Sequence, residues 1–149
     1  MMKVHVVCGL LVSLMVFSCI GLFDNGFDEA LFRKERAAWE AQGLRYYRFA
    51  ATCRASFAGF APETFECTVF PDREAEVVLT SHYMPDVYYG DTIDEIYQYI
   101  ADTVANGGHR LNITVRYNKE YHYPEYLFES SRGGGSDELE ITEFEPLGE

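Results

Sequence analysis

Basic side chains are scarce in this chain: 12 Lys and Arg stand against 24 Asp and Glu, a net charge of −12 over 149 residues. That balance excludes a nucleic-acid binder, because neutralising phosphates takes clustered Lys and Arg. Any electrostatic partner is therefore expected to be cationic. Chemistry-bearing patterns are missing too. The four histidines include His82, His109 and His122, which lack metal-ligand spacing and read as surface residues. No nucleophile elbow occurs, and no Ser or Cys stands beside a convincing base. The runs Gly107-Gly108 and Gly133-Gly134-Gly135 do not follow phosphate-loop spacing. No catalytic residue, metal ligand or cofactor is expected.

What is present is enough for a core: 48 % of residues are hydrophobic and 15 % aromatic, too apolar for a disordered chain and about one domain in length. Lys3 is the only charged side chain before Asp24, and residues 6–23 are uncharged. A basic start followed by an apolar run reads as an export signal. The run contains Val16-Phe17-Ser18-Cys19, similar to a bacterial lipobox: an aliphatic residue, a variable one, a small one, then Cys. The resemblance implies cleavage after Ser18, a signal peptide over residues 1–18 and diacylation of Cys19. It also implies a lipidated tether over residues 19–26 and a single domain over 27–149. An uncleaved anchor and release by a general signal peptidase are the alternatives. Ile20 rather than Asp after the Cys implies no inner-membrane retention, so the expected location is an envelope membrane outside the cytosol, the outer one where a cell has two.

Hydrophobic periodicity sets the elements. Phe27, Leu31, Ala38 and Trp39 fall on one stripe of a first helix, capped by Asp24 or Asn25 and closed by Gly43. Residues 46–57 alternate as a strand, a second strand places Phe65, Cys67 and Val69 inward, and a third covers 74–82 with Val77 and Leu79 inward. Thr92-Ile93-Asp94-Glu95 is a capping box for a second helix with a stripe of Ile93, Ile96, Tyr97, Ile100 and Val104. Asp94 and Glu95 thus belong to a helix start, and Asp137 and Glu138 to a strand start. Strands follow at 111–117, 125–130 and 138–144. The order α-β-β-β-α-β-β-β predicts a small α+β domain, two helices packed on antiparallel sheet.

A hairpin centred on Phe60 would pair Ala55 with Phe65 and place Cys53 opposite Cys67, within reach of a disulfide. An even pair in an oxidising compartment favours that bridge; two buried free thiols are the alternative.

The chain resembles a family of small exported bacterial domains, often lipoproteins, known as a domain of unknown function. The resemblance lies in Trp39 through Gly43-Leu44, then Tyr47-Arg48-Phe49; in the hairpin cysteines; in Thr92-Ile93-Asp94-Glu95-Ile96; in Tyr117-Asn118 and His122-Tyr123-Pro124; and in Asp137-Glu138 running to Phe144. His122 stands where that pattern has Gly. The resemblance spans nearly all of the expected mature chain and implies location and fold, with no chemistry attached.

Two surface features remain. Tyr88, Tyr89, Tyr117, Tyr121, Tyr123 and Tyr126 could gather into a binding surface, since Tyr offers rigid area with a polar tip. Residues 137–149 carry six carboxylate side chains and no basic one, a dock for a cationic protein or other envelope ligand. The expected function is therefore a lipid-anchored, non-enzymatic binding domain with an acidic, Tyr-rich surface. The alternatives are an inhibitor of a basic secreted enzyme and a hydrolase of unrecognised type.

Overall fold

The structure is a computed structural model that describes residues 26–56, 61–79, 89–107 and 111–148. The expected signal peptide, Cys19 and Tyr88 lie outside the described residues. None of the described helices is long and apolar enough to cross a membrane.

Helix α1 (Glu29–Gln42) is capped by Asp28, whose side chain accepts the Leu31 N–H at 2.9 Å. The expected caps, Asp24 and Asn25, are displaced because Asp28 sits three residues before an amide it can satisfy. The helix ends on Gly43 at φ 62°, the left-handed conformation glycine adopts without strain. Its buried residues are Phe32, Glu35 and Trp39, while Leu31 is exposed. A carboxylate on the inner stripe hid the true period from the sequence.

Strands β1 (Tyr47–Ala55), β2 (Glu63–Val69) and β3 (Glu76–Leu79) form one meander. Helix α2 (Ile93–Gly107) then carries the chain across, and β4 (Leu111–Tyr117), β5 (Pro124–Ser131) and β6 (Gly135–Pro146) form a second. The meanders fuse because β6 pairs with β1, giving one antiparallel sheet in the order β3-β2-β1-β6-β5-β4. This corrects the expected fold class. The elements follow the expected chain order, but the body is sheet-dominated rather than a small α+β domain of hairpins under two helices. One continuous six-stranded sheet takes 44 % of the described residues as strand, against 27 % as helix. The reason is the unforeseen β1–β6 ladder, which extends β6 to 12 residues.

The two helices and the inward side chains of the sheet share one core cluster. Tyr47, Phe49, Ile93, Ile96, Tyr97 and Ile100 are at most 1 % exposed. Trp39 meets Tyr47 edge-on at 5.5 Å and donates its indole N–H to Asp94 Oδ1 at 2.9 Å, tying α1 to the first turn of α2. The Tyr47 hydroxyl in turn accepts the Ile93 N–H at 3.0 Å. Thr92 and Glu95 form the capping box: Thr92 Oγ1 accepts the Glu95 N–H at 3.1 Å, and Glu95 Oε2 accepts those of Asp91 and Thr92. Neither described helix lies on the opposite face of the sheet.

Register corrects the disulfide. Cys53 pairs with Glu63 and Cys67 with Phe49, so the register is shifted by two residues per strand from the expected one. The cysteines are thereby offset by four positions along the strands, about 13 Å at ~3.3 Å per residue, beyond disulfide reach. Both are buried and free. The third strand faces as expected. Val77 and Leu79 point to the covered side, opposite Cys67 and Phe65. At the sheet edge they nonetheless remain exposed.

Candidate functional site

Alternation along β1, β2, β5 and β6 assembles the open face. Residues on that face are Arg48, Thr52 and Arg54 of β1, Glu66 of β2, Tyr126 of β5, and Glu138, Glu140, Glu143 and Glu145 of β6. Arg54 reaches Glu138 at 2.5 Å and Glu140 at 3.2 Å, and Arg48 reaches Glu145 at 2.7 Å. The Tyr126 hydroxyl donates to Glu138 at 3.2 Å beneath the Arg116 guanidinium, which sits 4.2 Å from the ring centre. These exposed pairs each contribute at most about 1 kcal/mol. Glu66 and Glu143 have no basic partner among the described residues. Both border a shallow hollow of about 120 Å³ that is also lined by Arg48, Ala50 and Glu145. A bulge places Thr142 as an extra residue in β6 beside the Ala50–Ala51 step, and bulges re-aim side chains in this way. The acidic C-terminal segment is therefore the inner half of a strand-borne charge lattice rather than a free tail.

The tyrosines do not gather into one surface. Tyr89 is 3 % exposed, in the core. Tyr117 stacks on Tyr97 at 6.3 Å with its hydroxyl buried and without a hydrogen-bond partner among the described residues. Tyr121 and Tyr123 pack on Phe144 at 5.1 and 4.6 Å, on the covered side. Tyr126 alone of the described set lies on the open face. The expected single Tyr-rich surface is corrected: strand alternation sends Tyr117 and Tyr126 to opposite faces, and burial of their rings draws the others into the core.

Two polar clusters escaped the sequence reading. His122 is not a free surface residue: its Nδ1 lies 2.6 Å from Glu35 Oε2, and its backbone carbonyl accepts the Tyr97 hydroxyl. His122 also has φ 61°, so the left-handed turn that glycine would take freely is kept with a side chain in place. At the other end of the covered face, Glu129 of β5 is 7 % exposed and stands opposite Asp137 of β6. The signal was its parity with Leu127, which places both on the inner side. Burial raises the Glu129 carboxyl above its ordinary value, the neighbouring Asp137 adds to that, and a bond from Tyr99 opposes it. Burial likewise pushes the Cys53 and Cys67 thiols up to about 12, so both are protonated and poorly nucleophilic at neutral pH. No group of three or more His, Cys, Asp or Glu among the described residues is placed to hold a metal ion.

Among known families, the model of one described as a family of unknown function, DUF6174, matches residues 31–138. No curated protein matches the chain.

Proposed function

The chain belongs to this family of unknown function, and from that premise we propose that it is a non-enzymatic binding domain that docks a cationic protein on its open sheet face. A lipid on Cys19 would hold the domain at an envelope membrane outside the cytosol. The observation that carries the docking reading is the pair Glu66 and Glu143, which among the described residues have no basic partner, beside the hollow on a face that neither described helix covers. With net −12 overall, a basic partner is steered to the domain and finds two uncompensated carboxylates at the point of contact. The non-enzymatic reading is supported by the two protonated, buried thiols. An inhibitor of a basic secreted enzyme would use the same face.

The test is a titration with lysozyme as the basic probe. The expected result is saturable binding that weakens as salt rises. Glu66→Lys should abolish it, while Asp102→Lys, the same charge change on the exposed side of α2 across the sheet from the hollow, should weaken it only modestly. Equal effects of the two substitutions, or no binding, would overturn the docking reading. For the anchor, Cys19→Ala should abolish acyl labelling and release the protein from membranes; unchanged labelling removes that part of the proposal.

A further inference from the structure

Glu129 is a carboxylate in a place that penalises carboxylates. It is 7 % exposed, and its Oε1 has no hydrogen-bond partner among the described residues. Tyr89, 3 % exposed, presents a hydroxyl that is likewise unpartnered. The two belong to one cluster. The Tyr89 ring meets the Tyr99 ring edge-on at 4.9 Å. The Tyr99 hydroxyl bonds the Glu129 carboxylate, and Asp137 faces Glu129 across the β5–β6 ladder. None of the ion pairs among the described residues reaches Glu129. Burying a carboxylate without an ion pair, or a hydroxyl without a hydrogen-bond partner, is costly; Glu129 is close enough to act electrostatically on the Tyr89 hydroxyl, and folded proteins rarely leave two such atoms in one cluster without a use.

We propose that this cluster binds a primary ammonium group, carried by an alkylamine or a lysine side chain. An ammonium brings one positive charge and three N–H donors, with no acceptor. Glu129 Oε1 and the Tyr89 hydroxyl oxygen are acceptors awaiting donors, and Asp137 supplies further negative potential. The Tyr89 and Tyr99 rings form an aromatic wall that favours a cation and packs its alkyl stem. Other cations fit less well. A guanidinium matches a carboxylate with both oxygens available, but Tyr99 already engages this one. A quaternary ammonium has no N–H for the orphaned oxygens. Calcium takes six to eight oxygen ligands, far more than two carboxylates and a hydroxyl provide. Asp137 and Tyr99 are only half-buried, which puts the cluster at the rim of the covered face. The site lies on the opposite side of the sheet from the proposed docking face and does not depend on it.

The experiment is a calorimetric and NMR titration of the full chain with n-butylammonium and, separately, Nα-acetyl-lysine methylamide; tetramethylammonium and n-butanol serve as controls. At least one amine should bind saturably and the controls should not. Tighter binding of n-butylammonium identifies free amines as the source; tighter binding of the lysine derivative identifies a side chain. Glu129→Gln should weaken binding by about tenfold or more, the loss expected when the charge that pairs with the ammonium is removed. Tyr89→Phe removes a hydroxyl that bonds nothing among the described residues, so it should fold normally while binding several-fold more weakly. No saturable binding of either amine, equal binding of tetramethylammonium, or unchanged affinity in Glu129→Gln each overturns the proposal.

Discussion

Single side chains in this fold carry penalties that mutation can expose. Glu129 is faced by Asp137 from β6, Tyr99 from α2 and Tyr89 ahead of that helix. Its carboxyl is raised by burial first, so the folded state holds its proton to higher pH than the unfolded chain does. That contribution is fully present below the ordinary carboxyl range and is lost as pH climbs from about 4.5 through the raised value. Glu129→Gln should therefore unfold at higher temperature than the native protein at pH 7, with the gap closing toward pH 4; thermal unfolding across that range checks it. His122 offers a second case. A non-glycine residue in the left-handed region costs roughly 1 kcal/mol, and the bond to Glu35 offsets it. His122→Ala should lose the bond and keep the strain. His122→Gly should lose the bond but shed the strain, and so be more stable than the Ala variant by about 1 kcal/mol in urea denaturation. For the cysteines, alkylation of denatured, unreduced protein should label both Cys53 and Cys67, because their register offset prevents an intrachain bridge even under oxidising conditions.

Elements differ in how openly the sequence announces them. Helix α2 was legible in full: its capping box and its Ile93, Ile96, Tyr97, Ile100 stripe are local signals, and both appear as expected. Helix α1 was legible in extent but not in face, since Glu35 interrupts the apolar period at a buried position. Strand β1 was legible as a strand, yet its partner register turned on where a six- or seven-residue turn folds. Parity alone cannot settle that, because a slip of two residues per strand keeps every side chain on its face. The thiol pairing is hidden by this gap, the Tyr set by ring burial that no local pattern announces, and Glu129 by a charge that masks its inward parity. The turn ahead of α2 gives the sharpest test at this scale. Gly90 has φ 125°, and a Cβ there would lie 2.4 Å from Glu95 Cβ, the residue that completes the capping box. Gly90→Ala should therefore cost more than the ~1 kcal/mol of an ordinary left-handed glycine, read as a lowered urea midpoint with the slope unchanged.

The whole molecule depends on a pairing between its most distant strands. Tyr47 lies opposite Pro146 and Ala55 opposite Asp137, so the ladder that unites the two meanders joins residues more than eighty positions apart. Neither meander can complete the core alone: Tyr47, Phe49 and Phe65 come from one, Ile113, Leu127 and Leu139 from the other. A chain ending at residue 134 keeps both helices and five strands but loses β6 from the middle of the sheet. It should show no cooperative unfolding transition by circular dichroism, whereas loss of an edge strand would merely lower the midpoint.

The central position of β6 also has a bearing on synthesis. A nascent polypeptide cannot close this sheet until β6 has cleared the ribosome, so it stays slack until then. Under the export proposed above, that delay would leave the translocation machinery a chain that has not yet locked.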